Sequence, residues 1–164
     1  MYCMPLAFAF PEDDFARRVE DEVMIGESLL IAPVYEQNAR GRYVYLPEEM
    51  LQVRVKCSES DRMETSVLPA GHHYIPVELD EVVFFVRKGH ILPLAKGGKK
   101  IQNVADVDFA DLRLLAYAPD GASYEYYTDD GETKDYDKPE HFVNITLDAD
   151  GNAKSDRATV KVEG

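Results

Sequence analysis

Short runs of alternating or continuously apolar residues dominate this chain, and they predict β-strands. Residues 52–57 (QVRVKC) alternate strictly between apolar and polar positions, which is typical of a strand buried on one face. Residues 29–34 (LLIAPV) form a continuous apolar run, as a strand covered on both faces does. The other predicted strands span residues 6–10, 42–46, 74–79, 82–86, 112–117, 122–127, 142–147 and 159–162. We therefore expect an all-β fold.

Turn signals separate these strands at a spacing typical of β-sandwiches and barrels. Three of the turns carry a glycine that can adopt a positive φ at little steric cost, at residues 119–121 (PDG), 129–131 (DDG) and 150–152 (DGN). Asp80 and Glu81 interrupt two apolar runs and predict a tight hairpin between residues 74–79 and 82–86.

One segment, residues 13–24, has helical character. Its acidic beginning at Asp13 and Asp14 suits the positive end of a helix, and Gly26 would end the helix. A glycine-rich, charged segment at residues 96–100 (KGGKK) marks the seam between two strand clusters.

The predicted elements give three parts. Residues 1–24 hold one strand and one short helix, residues 25–96 form a β-sandwich, and residues 97–164 form a second, smaller β-unit.

Composition narrows the class of partner. The 164 residues are 45% hydrophobic and 30% charged, which is typical of a globular protein. The chain has 18 basic and 31 acidic side chains, so its net charge is −13, and such a charge repels nucleic acid and anionic lipid. No apolar run approaches the length of a membrane span. We expect neither a nucleic-acid partner nor a membrane partner.

The candidate metal ligands are scattered along the chain. Cys3 and Cys57 lie far apart without a CxxC pair, so neither a disulfide framework nor a zinc site is predicted, and a cytoplasmic location is favoured. His72 and His73 are adjacent and point to opposite faces of a strand, while His90 and His141 are isolated. We predict no metal site from these residues.

Adjacent carboxylates occur at Asp13 and Asp14, at Glu48 and Glu49, and at Asp129 and Asp130. Two carboxyl groups that act together as nucleophile and acid/base must lie close to each other, whereas neighbours on a strand point to opposite faces. No catalytic residue is assigned to these pairs.

Three motifs carry a family resemblance: GESLLIAPV at residues 26–34, VYLP at residues 44–47 and FVRKGHILPL at residues 85–94. In order and spacing they resemble the end of the catalytic barrel and the C-terminal β-domain of glycoside hydrolase family 31, the α-glucosidase-like enzymes. PLAFAFP at residues 5–11 is similar to the last barrel strand of that family, although Met4 stands where the family has Arg.

The resemblance implies that residues 1–24 are the remnant of the last strand and helix of a (β/α)8 barrel, before a proximal β-sandwich and a distal β-domain. It implies a retaining α-glycosidase whose catalytic carboxylates lie upstream. No catalytic, substrate-binding or metal residue and no cofactor is then assigned to this chain. Its partner would be the catalytic barrel, and an α-glucoside would be bound as substrate only by the intact enzyme. Related members act on α-xylosides or transfer glucosyl units.

Arg87 follows an apolar run, where its guanidinium could bind backbone carbonyls or a carboxylate at the place where the sandwich meets the barrel. Residues 127–133 (YTDDGET) resemble a segment of the family's distal domain and predict a hairpin connection. Calcium bound by Asp129, Asp135 and Asp137 is the alternative, although the register of an EF-hand is missing. Residues 148–152 (DADGN) predict a turn.

Two further alternatives stay open. Tyr124, Tyr126 and Tyr127 lie on one predicted strand, where Tyr124 and Tyr126 share a face and could form a sugar-binding platform. Packing across the sheet is favoured, because tyrosine is a strong strand former. The whole chain could instead be a free-standing carbohydrate-binding or calcium-dependent adhesion module. Apolar residues 1–24 should either fold back on the sandwich or mediate a homodimer.

Overall fold

The computed structural model describes residues 2–57, 62–96, 102–108, 111–129, 131–132, 134, 137–155 and 161–162. β-Strands dominate these residues, so the all-β prediction is confirmed. The chain forms two compact units, Met1–Lys88 and Gly89–Gly164. Within the described residues, no helix is long and apolar enough to cross a membrane.

The first unit consists of a six-stranded sheet and a two-stranded ribbon. Its strands are β1 (Cys3–Pro5), β2 (Val23–Ile25), β3 (Leu29–Ile31), β4 (Gly41–Leu46), β5 (Met50–Lys56), β6 (Met63–Leu68), β7 (Gly71–Pro76) and β8 (Glu81–Arg87). The sheet has the order β1-β2-β3-β8-β5-β6 and is antiparallel throughout. The ribbon pairs β4 with β7, also antiparallel.

One hydrophobic core lies between these two layers. The sheet contributes Met24, Leu30 and Phe85, while the ribbon contributes Val44 and Ile75. Alternation along each strand sends these side chains to the same side, and full burial of such a side chain stabilises the fold by about 1.5–3 kcal/mol.

The N-terminal segment differs from the sequence prediction. Residues 6–10 were expected as a strand, but helix α1 (Leu6–Ala9) forms there instead. Five residues cannot distinguish a period of 2 from one of 3.6, and Leu and Ala are strong helix formers. Leu6 is fully buried in the core, whereas Phe8 is 68% exposed.

The helix predicted over residues 13–24 is also wrong. Only a single 3-10 turn, Ala16–Arg18, forms, and the end of the segment is strand β2. Asp13 does place its carboxylate at the start of that turn, where it accepts hydrogen bonds from the amides of Phe15 and Ala16. Val23 and Ile25 are β-branched and therefore favour a strand. β2 is also paired on both sides, with β1 on one side and β3 on the other.

The hairpin predicted at Asp80 and Glu81 does not form. β7 pairs with β4 in the ribbon, while β8 pairs with β3 and β5 in the sheet. The short break at Asp80 and Glu81 therefore connects the ribbon to the sheet. The residues of a turn do not indicate whether the two flanking strands pair with each other or with other strands.

The second unit contains two three-stranded sheets. Its strands are β9 (His90–Ala95), β10 (Leu112–Tyr117), β11 (Ala122–Tyr127), β12 (Phe142–Leu147), β13 (Ala153–Ser155) and β14 (Lys161–Val162). One sheet has the order β14-β10-β9 and the other β11-β12-β13. Ile91, Leu114, Ile145 and Leu147 form the buried core of this unit.

The two units divide at Lys88 and Gly89, earlier than the boundary expected from composition, and residues 1–24 are part of the first unit. β9 precedes the glycine-rich segment but pairs with β10, so it belongs to the second unit. Residues 97–100 of that segment lie outside the described residues. A charged, glycine-rich stretch indicates a loop without indicating which strands pair across it.

Candidate functional site

Arg42 lies at the beginning of β4, and its half-buried guanidinium connects three stretches of the first unit. Nη1 donates to the carbonyl oxygens of Pro33 (2.9 Å) and Asp21 (3.2 Å), and Nε donates to the carbonyl of Tyr43 (3.0 Å). Nη2 forms an ion pair with the Asp21 carboxylate. The rigid fork of donors is therefore occupied by protein groups.

Glu22 is the buried carboxylate next to this guanidinium. Its Oε1 accepts a hydrogen bond from the amide of Tyr45 (2.7 Å) and lies 4.0 Å from Arg42 Nη2. Its Oε2 is buried and has no hydrogen-bond partner among the described residues. Burial raises the pKa of Glu22 to about 7, and Asp21 adds to the rise, while the Tyr45 amide and Arg42 oppose it.

We predict that Glu22 makes the stability of the protein fall between about pH 4.5 and about pH 7. The ordinary pKa is 4.5, so in this interval the folded state holds a proton that the unfolded state has lost. The contribution of Glu22 is greatest below this interval, falls as the pH rises and is constant above it. A rise of this size corresponds to about 3 kcal/mol. Urea unfolding at a series of pH values measures the effect.

The matched variant for this prediction is Glu22→Gln, which keeps an oxygen for the Tyr45 amide and does not titrate. The difference in unfolding free energy between wild type and Glu22→Gln should change with pH across this interval. Parallel pH profiles for the two proteins would contradict the prediction.

Three exposed tyrosines surround a cleft beside Arg42, which we call the tyrosine pocket. It has a volume of about 330 Å³ and is lined by Asp21, Pro33, Val34, Tyr35, Glu36, Ala39, Gly41, Arg42, Tyr43 and Tyr74. Tyr35, Tyr43 and Tyr74 are 68%, 71% and 53% exposed. Tyr43 and Tyr74 are directly opposed on β4 and β7, and their rings meet edge to face with centroids 5.3 Å apart.

The other end of the same ribbon carries a second aromatic group. The ring of Tyr45 lies 4.8 Å from that of His72 and 5.7 Å from that of Phe15. The Tyr45 hydroxyl donates to Asp13 (2.7 Å). Burial and this hydrogen bond raise the pKa of Tyr45 to about 12. Burial acts to raise the pKa of Asp13, but its hydrogen bonds outweigh burial and lower it. The group ties residues 13–15 to the ribbon.

Arg87 binds a carboxylate, which is one of the two roles considered for it from the sequence. Its Nε and Nη2 lie 2.7 and 3.3 Å from the two carboxylate oxygens of Glu48. The Arg87 guanidinium also lies over the ring of Phe10, at 4.6 Å from the centroid. Arg87 thus joins the sheet to the N-terminal segment.

The adjacent carboxylates are engaged by protein groups. Glu48 pairs with Arg87, Glu49 pairs with Lys88, and Asp14 pairs with Arg17. Asp130 lies outside the described residues.

Within the described residues no group of three or more His, Cys, Asp or Glu side chains is placed to hold a metal ion. Cys3 and Cys57 are both free and exposed.

The calcium alternative involves residues of which only part is described. Asp129 Oδ1 accepts a hydrogen bond from the amide of Gly131 (2.9 Å), as predicted for a turn, while Asp130 and Asp135 lie outside the described residues. Asp148 accepts hydrogen bonds from Asn152 and from the amide of Asp150, which lower its pKa and form the predicted turn. The absence of a calcium site stays a prediction.

Comparison with known proteins identifies the family. The model of the glycosyl hydrolase family 31 C-terminal domain matches residues 1–92. The chain belongs to glycosyl hydrolase family 31. The resemblance carried by the motifs at residues 26–34, 44–47 and 85–94 is thereby confirmed.

Similar members of family 31 are several times longer than this chain. An α-xylosidase of Saccharolobus solfataricus is 32% identical over 149 residues, which cover 89% of this chain and 19% of the xylosidase. Neutral α-glucosidase AB of Mus musculus is 30% identical over 141 residues, which cover 85% of this chain and 14% of the mouse protein. The chain thus spans less than a fifth of either relative.

Solved structures of family 31 share the fold. The α-xylosidase of Xanthomonas citri gives a TM-score of 0.66 at 21% identity, over 100% of this chain and 17% of the xylosidase. The ER glucosidase II heterodimeric complex gives a TM-score of 0.67 at 16% identity, over 99% of this chain and 17% of the matched one. The shared fold agrees with the match of the family 31 C-terminal domain to residues 1–92, and a free-standing carbohydrate-binding or calcium-dependent adhesion module is not favoured.

The sequence did not single out Glu22, Arg42 or the tyrosine pocket of this family 31 chain. Alternation along β4 places Tyr43 and Tyr45 on one face, but their neighbours on β7 follow only from the register. The burial of Glu22 depends on contact with a strand distant in sequence, for which no local signal exists. Tyr124 and Tyr126 pack partly buried against the core of the second unit, as the packing interpretation expected.

Proposed function

We propose that this chain is the non-catalytic C-terminal β-region of a retaining α-glycosidase, acting on α-glucosidic or α-xylosidic bonds, and that it supports the catalytic barrel. The observation that carries the proposal is the position of residues 1–24. β1 pairs with β2 at the edge of the six-stranded sheet, and Leu6 and Ala16 are fully buried. The segment that resembles the end of the barrel is thus part of the sandwich.

Three attachments explain how such support would operate. Backbone hydrogen bonds attach β1 to the edge of the sheet, and the Arg87 guanidinium lies over the ring of Phe10. The Asp13 carboxylate accepts a hydrogen bond from the Tyr45 hydroxyl. These attachments hold both ends of the segment, and an upstream barrel strand would inherit a fixed exit direction. Inter-domain contacts of this kind typically bury about 600–1,500 Å².

We predict that the chain alone does not hydrolyse α-glucosides or α-xylosides. Asp14, Glu48, Glu49 and Asp129 bind arginine, lysine or backbone groups, and we assign no described carboxylate to an acid/base and nucleophile pair. A chromogenic assay with 4-nitrophenyl α-glucoside and α-xyloside measures the activity. Turnover that co-purifies with the chain and is lost when one of its own carboxylates is changed would contradict the prediction.

The supporting role is tested by the reading frame upstream of Met1 and by the enzyme it encodes. We expect a (β/α)8 barrel there, and we expect Arg87→Met in the full enzyme to accelerate thermal inactivation without raising KM. Lys88→Met is the matched control, because Lys88 is more exposed than Arg87 and also pairs with a glutamate. A frame that opens at Met1 without a barrel would contradict the proposal.

We also propose a reducing, cytoplasmic setting, which the exposed free thiols of Cys3 and Cys57 support. A homodimer through residues 1–24 is a further proposal. It would have to use the exposed Phe8, since the same segment already packs on the sandwich. Fractionation of the native cells tests the first proposal, and light scattering of the purified chain tests the second.

A further inference from the structure

We propose that the tyrosine pocket binds a pyranose ring of a neutral gluco-oligosaccharide. The proposal assigns a ligand to a surface of this family 31 chain and does not depend on hydrolysis. It stands on three features of the pocket: exposed aromatic rings, carboxylates beside them and a guanidinium that is already occupied.

The aromatic rings provide ready-made apolar surfaces. Tyr43 and Tyr74 support each other edge to face on paired strands. Tyr35 is held by a hydrogen bond from its hydroxyl to Asp21 (3.3 Å), and the Arg42 guanidinium lies 5.7 Å from its ring centroid. Tyrosines fixed in this way lose little conformational freedom on binding. In an α-linked glucopyranose ring only the oxygen at C1 is axial, so the opposite face of the ring presents C–H groups to such a surface.

The polar groups of the pocket suit hydroxyl donors. Asp21 and Glu36 line it and offer carboxylate oxygens, which accept strong hydrogen bonds. An anionic ligand is disfavoured, because Arg42 already donates to three carbonyl oxygens and pairs with Asp21, and the chain carries a net charge of −13. A neutral polyhydroxylated ring matches both the apolar walls and the acceptors.

The size and backbone of the pocket fit one ring. Its volume of about 330 Å³ lies at the lower end of the range for small-molecule sites. Gly41 has a φ of +149°, and a Cβ there would lie 2.4 Å from the carbonyl oxygen of Ile75 and 3.0 Å from the Tyr74 hydroxyl. Glycine at this position therefore leaves room for the Tyr74 hydroxyl beside the pocket.

The test is a titration of the purified chain with maltotriose, followed by isothermal calorimetry and by the NMR signals of the tyrosine rings. Sorbitol is the matched ligand control, because it carries the hydroxyls without a ring face. We expect saturable binding of maltotriose, with a Kd on the order of 1 mM, and no saturation with sorbitol. Absence of saturation with maltotriose, or equal binding of sorbitol, would overturn the proposal.

Variants locate the site. Tyr43→Ala and Tyr74→Ala should each weaken binding at least about tenfold, while Tyr43→Phe, which keeps the ring, should bind like wild type. Tyr127→Ala in the second unit is the matched control, since Tyr127 is also an exposed strand tyrosine. Binding that survives both pocket variants, or is lost in Tyr127→Ala, would overturn the assignment. The hydrolysis assay can fail or succeed independently of these results.

Discussion

Arg42→Met should lower the unfolding free energy at pH 8 by about 1–3 kcal/mol, because the buried Glu22 carboxylate and two backbone carbonyls lose the guanidinium beside them. The variant keeps the aliphatic stem but leaves Asp21, Glu22 and the carbonyl of Pro33 without the guanidinium. The loss should be smaller near pH 5, because Glu22 is then protonated and no longer a buried charge. Urea unfolding at the two pH values measures both effects.

Arg17→Ala is the matched control for this prediction. Its ion pair with Asp14 is exposed, so the change should stay within about 0.5 kcal/mol. Arg42→Lys should be intermediate, since a single ammonium cannot reach all of the acceptors that the guanidinium fork binds. Equal losses for Arg42→Met and Arg17→Ala would show that Arg42 does not organise the buried carboxylate.

Leu6→Ala should lower the unfolding free energy by about 2–5 kcal/mol, because Leu6 is fully buried in the core of the first unit. Phe8→Ala is the control within the same helix. Phe8 is 68% exposed, so its truncation should change stability by less than about 0.5 kcal/mol. Thermal or urea unfolding of the two variants measures the difference.

This pair of variants decides whether residues 1–24 are an integral layer of the sandwich. If Leu6→Ala and Phe8→Ala behave alike, the segment does not pack as described, and the proposed support of a barrel loses its physical basis. If only Phe8→Ala changes the mass measured by light scattering, the homodimer predicted from the sequence uses the exposed side of α1.

The sequence predicted three strands of the second unit because each carries a complete local signal, whereas β9 and β13 were not predicted. β10, β11 and β12 coincide with the predicted residues 112–117, 122–127 and 142–147, where apolar runs end at glycine turns. β6 was missed, since its METSVL sequence is mainly exposed and lacks alternation. The strand predicted over residues 6–10 was wrong for a related reason, because the segment is too short to show a period and forms the helix Leu6–Ala9.

The tyrosine pocket could not be predicted because it depends on register and not on composition. Tyr43 meets Tyr74 only through the antiparallel pairing of β4 and β7, while the sequence suggested that the second strand turns back onto its successor. Glu22 and Arg42 were likewise hidden, since a buried charge is defined by its distant neighbours. The family motifs indicated the fold of the chain, but they did not indicate these contacts.

The attachments of the N-terminal segment also have a mechanical consequence. β1 is an edge strand bound along its length to β2, with Phe10 held by Arg87 and Asp13 held by Tyr45 further along the chain. A tension applied to residues preceding β1 and directed along the strand would load the β1–β2 hydrogen bonds together instead of opening them one after another. Any polypeptide joined there would therefore be anchored to the sheet first and to the ribbon second, and it would separate from the sandwich in two distinct steps under load.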